Sequence, residues 1–353
     1  MTEEYNVIGL MSGTSIDGLD IAYCNFTFKN EKWKYKIEIA ETNNYSNKWY
    51  NALANADKLS ALELLLLNNE YGYFIGEKVS EFITKHNIHP DFVASHGHTV
   101  FHQPQKNLTY QIGSGECISA KCGLKVVYDF RTMDVALGGQ GAPLVPIGDK
   151  YLFSEFDYCI NLGGFANISF ENSRERIAYD ICPVNIVLNQ LAKKLGFEFD
   201  FNGNIAAKGK LNTDLFNQLN NISFYHEDFP KSLGKEWVQQ KIIPFLNFST
   251  ISIEDKIRTF SEHIVYQLLR ATSEKKSAKL IFSGGGTYNE FIINLFKEKT
   301  MLTVIIPDKE TIDFKEALIF AFLGVLKIRN EINSLQSVTG AKKNSSGGKI
   351  ITI

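Results

Sequence analysis

Apolar and polar positions along this chain repeat with two different periods. Short apolar or β-branched runs, YNVIGL at 5–10, LDIAYCNF at 19–26, DFVASHG at 91–97, LKVVYDF at 124–130, DYCINLGG at 157–164 and AKLIFSGGG at 278–286, have the length and make-up of strands. Between them, leucines and isoleucines recur every three or four residues over 58–85, 184–195, 255–271 and 313–328, the spacing of a helix that buries one face. Interleaved strands and helices predict an α/β chain.

At 353 residues the chain is long enough for two cores of ordinary size. The Gly/Pro-rich run ALGGQGAPLVPIGD at 136–149 is the best candidate for a passage between them, giving a first lobe over 1–135 and a second over 136–332. Charge is balanced, 37 Lys and Arg against 39 Asp and Glu, so nothing marks a nucleic-acid partner. The five cysteines, Cys24, Cys117, Cys122, Cys159 and Cys182, form no CxxC pair and are odd in number, which favours a reducing compartment. The start, MTEEYNVIGL, has no signal-peptide pattern, and the apolar run ALIFAFLGVL at 317–326 is about half of a membrane span. A cytoplasmic protein without a membrane partner is expected.

Three glycine-rich turns carry the chemical interest. In IGLMSGTSIDGLDIAYCNF, at 8–26, Gly13 and Gly18 allow backbone to approach a ligand, while the hydroxyls of Ser12, Thr14 and Ser15 supply donors for phosphate oxygens. Asp17 in the same turn suits a hydrated magnesium ion, which commonly takes one or two carboxylates and keeps several waters. A weak echo, YCINLGGFANISF at 158–170, repeats the strand, turn and strand with Gly163, Gly164 and Asn167. The third cluster, Gly284, Gly285 and Gly286, follows a strand and precedes a helix. One such turn alone is more simply a hairpin. Three together are what a nucleotide held between two lobes requires, with phosphates gripped from both sides and the nucleoside near the third turn. Neither GxxxxGK[ST] nor a GxGxxG after the first strand is present.

The segments GLMSGTSIDGLD, SHGHTVFHQP, YQIGSGECIS, VVYDFRTMDVALGGQGAPLVP, NLGGFANIS, NGNIAAKGK, FPKSLGKEW, FSGGGTYN, KEALIFAFLG and SVTGAKKNSSGGKI run in order along almost the whole chain. Together they resemble the anhydro-N-acetylmuramic acid kinase family. The resemblance implies two ribonuclease-H-like α/β lobes of the actin/hexokinase/Hsp70 type around a central cleft, with the tail 333–353 returning to the first lobe. It also implies ATP and magnesium as cofactors, a homodimer, and a place in peptidoglycan recycling. The implied reaction opens the 1,6-anhydro bridge of the sugar with water and phosphorylates it.

Such a reaction needs a base beside the anomeric carbon. Asp180 in IAYDICPVNIVLN is the candidate, at a strand end where Pro183 is expected to open a helix; a plain helix cap is the alternative. The resemblance gives Asp180 the role of base. The family pattern DTGPGN reads DICPVN here, keeping Asp180, Pro183 and Asn185 while Cys182 and Val184 replace glycines, which can narrow the backbone path near the sugar. Cys182 itself reads as a packing residue.

Other positions carry similar pairs of readings. In DFRTMD, Arg131 and Asp134 are either a surface ion pair or, with Asp129, part of the sugar site, Arg131 taking the lactyl carboxylate or a phosphate oxygen. Glu316 is expected in the first turn of the late helix, as a dipole partner or, by resemblance, at the sugar together with Asn185. His96, His98 and His102 do not have a zinc spacing; they read as structural histidines, with a sugar contact from His98 as the other reading. Lys231 and Ser232 are either solvated or line the cleft. The rival functions are an ordinary hexose or amino-sugar kinase, in which Asp180 deprotonates a hydroxyl, a nucleotide-dependent switch or filament protein of the actin/Hsp70 type, and, given the altered DICPVN loop, a chain that binds the sugar without turning it over.

Overall fold

A computed structural model describes residues 2–13, 15–275 and 277–353. The chain folds as two units, 1–152 with 314–353, and 153–313.

In the first unit the strands β1 (Glu3–Ser12), β2 (Gly18–Lys29) and β3 (Lys32–Asn44) form an antiparallel meander. Next, β4 (Phe92–Gln103) runs parallel to β1, β5 (Leu108–Ile112) pairs back on β4, and β6 (Val126–Tyr128) runs parallel to β4. The central strand β1 is apolar on both faces, and Val7, Ile8 and Leu10 are fully buried. That is the pattern of a strand covered on two sides. The edge strand β3 carries Lys32, Lys34 and Lys36 at every second position, which discourages further pairing. The helix Ala61–His86 starts at a capping box between Ser60 and Glu63 and buries Leu67, Tyr71, Ile75, Val79 and Phe82, one face at helical spacing.

The second unit repeats this plan. Strands β7 (Tyr158–Leu162), β8 (Phe165–Asn172) and β9 (Glu175–Pro183) form an antiparallel meander, β10 (Lys279–Ser283) runs parallel to β7, and β11 (Thr303–Ile305) runs parallel to β10. The helix Ile253–Ala271 covers it with Ile257, Phe260, Ile264, Val265 and Leu268. Among the described residues the orders β6-β4-β1-β2-β3 and β11-β10-β7-β8-β9 are one topology used twice, which bears out the expected pair of ribonuclease-H-like α/β units.

The tail belongs to the first unit. Its strand β12 (Lys349–Ile351) adds antiparallel to β6, and Asp134 ties the tail down. One carboxylate oxygen of Asp134 accepts from Ser334 Oγ and Thr339 Oγ1, both at 2.7 Å, and the other accepts from Gly141 N at 2.8 Å. The late helix Lys309–Ile328 packs into the same unit through Phe322, whose ring lies 5.5 Å from Phe26 and 5.0 Å from Trp33. The unit limits therefore fall at 152/153 and 313/314, not at 135/136 and 332/333: the helix Val145–Leu152 and most of the late helix pack with the first sheet. Among the described residues no helix is long and apolar enough to cross a membrane.

Candidate active site

The β1–β2 turn is closed by its own side chains. Asp17 Oδ1 accepts from Ser15 Oγ at 2.9 Å and from Gly18 N at 3.1 Å, and Ile16 N reaches Gly13 O at 3.2 Å. Gly18 is needed for packing: a Cβ there would lie 2.6 Å from Thr42 Cγ2 and 2.9 Å from Asn43 O on β3. Ser12 is buried, its hydroxyl 3.0 Å from His98 Nδ1 and accepting from Tyr45 at 2.8 Å, while Tyr45 meets Tyr71 at 2.6 Å. Ser12 and His98 thus join one internal polar network, in which burial lowers His98 to a pKa of about 4. Ser15 and Asp17 are exposed on the turn. Thr14 lies outside the described residues.

In the second unit two glycine turns lie at the carboxyl ends of the neighbouring parallel strands β7 and β10, the usual place for a ligand in such sheets. Asn161 joins them: its side chain is 3.3 Å from where a Cβ on Gly163 would be and 2.5 Å from that of Gly284. Gly284, with φ +80°, and Gly286 are pressed against Leu162, whereas a Cβ on Gly285 would meet nothing within 4 Å. Gly164 is equally open, with Ile186 Cβ 4.0 Å away. Gly163 and Gly164 also dock the next helix, their carbonyls accepting from Asn185 N and Val184 N at 3.3 and 2.8 Å.

Asp180 is not a helix cap. Strand β9 continues to Pro183, which pairs with Phe165, and the helix begins at Asn185; Pro183 closes a strand and does not open the helix. Asp180 sits within β9 opposite Asn167, beside a register shift. Its N–H donates to Lys231 O at 3.1 Å, and Oδ2 accepts from Leu233 N at 2.8 Å. Burial raises its pKa above that of an ordinary aspartate, and the Leu233 N–H offsets part of that rise. Lys231 anchors this loop by donating to Phe224 O and Glu227 O at 3.0 and 2.8 Å. Cys182 and Val184 are fully buried in the core of the unit, and burial pushes the Cys182 thiol up, as expected of a packing residue.

On the first unit Arg131 is half-buried, not part of a surface pair. Its Nε and Nη2 lie 3.1 and 3.0 Å from His96 Nε2, and Nη1 donates to Gly141 O at 2.6 Å. Glu316 lies two turns into the late helix, which begins at Lys309, so it is not a first-turn dipole partner. It is exposed, yet surrounding protein raises its pKa, with the charges of Arg131 and Lys315 acting in the opposite sense. Asp129, at φ +59°, pairs with Lys349 at 2.8 Å and accepts from Thr132. His102 Nδ1 lies 3.2 Å from Thr109 Oγ1. Among the described residues no group of three or more His, Cys, Asp or Glu could hold a metal ion.

Residues 5–352 match the anhydro-N-acetylmuramic acid kinase family. The chain is 31% identical over 372 residues to an anhydro-N-acetylmuramic acid kinase of Clostridioides difficile, covering 97% of each chain. It is 32% identical over 387 residues to one of Haemophilus influenzae, again covering 97% of each, and 30% identical over 367 residues to one of Pasteurella multocida, covering 97% of this chain and 96% of that one. These matches put the enzyme among the sugar kinases. The chain belongs to the anhydro-N-acetylmuramic acid kinase family over essentially its whole length.

Proposed function

We propose that the enzyme uses ATP and water to convert 1,6-anhydro-N-acetylmuramic acid to N-acetylmuramic acid 6-phosphate, a step of peptidoglycan recycling. The observation that carries this reading is Asp180: a carboxylate fixed within a strand by Leu233 N, with a pKa raised by burial toward that of a working base. Asp180 takes a proton from a water that attacks the anomeric carbon. The bond from that carbon to O6 breaks as O6 takes the γ-phosphoryl group, and ADP leaves. The proton on Asp180 then returns to solvent.

The remaining residues position the substrates. Gly13, Ser15 and Gly164 present backbone and hydroxyl to the phosphates, and the open Gly285 faces the nucleoside. Arg131 takes the lactyl carboxylate; Glu316 and Asn185 bind sugar hydroxyls. The exposed carboxylate of Asp17 fits a magnesium ion, because such an ion needs few protein ligands beyond phosphate oxygens and water. When bound, that ion neutralises phosphate charge.

The test is product analysis by mass spectrometry after incubation with ATP, magnesium and either the anhydro sugar or N-acetylglucosamine. A phosphorylated, hydrated product from the anhydro sugar alone is expected. Preferential phosphorylation of N-acetylglucosamine would identify an ordinary amino-sugar kinase instead.

A further inference from the structure

We propose that His96 is a positioning residue which fixes the Arg131 guanidinium for the substrate's carboxylate; this rests on the reading of Arg131 given above. His96 is 5% exposed on β4. Arginine has donors only, so the contacts of Arg131 Nε and Nη2 with His96 Nε2, at 3.1 and 3.0 Å, require that nitrogen to accept. The proton then sits on Nδ1, which is 2.8 Å from Gly97 O and donates to it. One tautomer satisfies both sides of the ring.

The ring is itself held in place. Its centroid lies 4.6 Å from that of Phe320, which also stands 5.8 Å under the Arg131 guanidinium carbon. With Gly141 O accepting from Nη1, three bonds fix the plane of the guanidinium. Among the described residues this leaves two of its five N–H groups for an anion.

The choice of imidazole over carboxylate has a physical reason. An aspartate or glutamate at this place would orient the guanidinium equally well and neutralise it. A neutral imidazole orients it without adding a further negative charge to those of Glu316 and Asp134, which already act on it, and so leaves more of its positive charge for the ligand. Burial and the Arg131 charge both hold His96 in its neutral form.

The test compares His96→Asn with His96→Gln. Asparagine reaches only the Nδ1 position and can still bond Gly97 O, whereas glutamine carries an acceptor near the Nε2 position. In His96→Asn the KM for anhydro-N-acetylmuramic acid is expected to rise by roughly 10- to 100-fold, the scale of a hydrogen bond to a charged group, with kcat and the KM for ATP within a few-fold of the parent. His96→Gln is expected to restore most of the loss. The inhibition constant of 1,6-anhydro-N-acetylglucosamine, which lacks the lactyl carboxylate, is expected to stay unchanged in both.

An unchanged KM in His96→Asn, no recovery in His96→Gln, or an equal loss toward both sugars would overturn the inference. Arg131→Gln separates its failure from that of the underlying reading. If that variant still prefers the sugar with the carboxylate, Arg131 is not its partner. If it loses the preference while His96→Asn keeps it, only the role of His96 falls.

Discussion

The N–H of Leu233 donates to Asp180 Oδ2 at 2.8 Å across 53 residues of sequence, and two residues earlier the Lys231 carbonyl accepts the N–H of Asp180 at 3.1 Å. A loop therefore both holds the proposed base and offsets part of the effect of burial on its acidity. Burial destabilises the Asp180 carboxylate, and the Leu233 N–H stabilises it.

The first prediction concerns pH. A base works when deprotonated, so activity rises with pH through the Asp180 pKa, and the acid limb of kcat/KM lies above the range of an ordinary aspartate. Leu233→Pro removes the stabilising N–H, raises that pKa further and moves the limb to higher pH. Asp180→Asn lowers kcat by about 10²- to 10⁴-fold while both substrates still bind, as checked by calorimetry. An acid limb that does not move in Leu233→Pro would contradict this account of the hydrogen bond.

The Asp17 side chain lies exposed in the β1–β2 turn, while its backbone carbonyl accepts from the N–H of Tyr45, a member of the Ser12 network, at 3.3 Å. Asp17→Asn is expected to raise the magnesium concentration needed for half-maximal rate and the KM for ATP, each by about tenfold or more, with sugar affinity nearly unchanged. Steady-state kinetics with magnesium titration checks it. Unaltered ATP kinetics would remove Asp17 from the nucleotide site.

Glycines in two of these turns are predicted to fail differently. In Gly18→Ala the new Cβ meets Thr42 Cγ2 at 2.6 Å, so overpacking should cost stability by about 1–3 kcal/mol in urea unfolding. In Gly285→Ala the Cβ meets nothing within 4 Å. That variant should keep its stability and show a raised KM for ATP. Stability loss in Gly285→Ala would speak against an open turn there.

His263 gives a stability prediction away from the chemistry. It is fully buried, with Nδ1 2.8 Å from Asn220 Oδ1 and Nε2 3.0 Å from Tyr225 OH, and burial lowers its pKa from 6.5 to about 3. Between those values the unfolded chain binds a proton that the folded chain does not. Stability contributed by the neutral ring is therefore full above pH about 6.5 and is lost as pH falls, at about 1.4 kcal/mol per pH unit for this one group. His263→Gln should flatten the dependence of unfolding free energy on pH by one proton over that window. An unchanged slope would contradict the assignment.

Much of the architecture was legible because local signals agree with the fold. The strand, glycine turn and strand at 158–170 echoes the start of the chain because each unit begins with the same hairpin, and apolar periods mark the helices Ala61–His86 and Ile253–Ala271. The first turn of the late helix, KETI at 309–312, has a single apolar residue and precedes the apolar period; Asp308 caps it, accepting from Thr311 N at 2.7 Å, eight residues before Glu316. Pro183 read as a helix start, but a strand tolerates proline at its end, where no ladder N–H is needed. The alternating charges of β3 hid an edge strand.

Within the candidate site, residue types were readable and their partners were not. His96 looked the same as its neighbours His98 and His102, and only the folded chain separates the acceptor for Arg131 from the partners of Ser12 and Thr109. Leu233 acts through its backbone, which no side-chain pattern reports.

The most direct measurement is the reaction of the purified enzyme with ATP, magnesium and anhydro-N-acetylmuramic acid in oxygen-18 water, followed by mass spectrometry of the sugar. The account predicts N-acetylmuramic acid 6-phosphate with one heavy oxygen at the anomeric carbon and none in the phosphate. A phosphorylated sugar without heavy oxygen, its anhydro bridge intact, would contradict it.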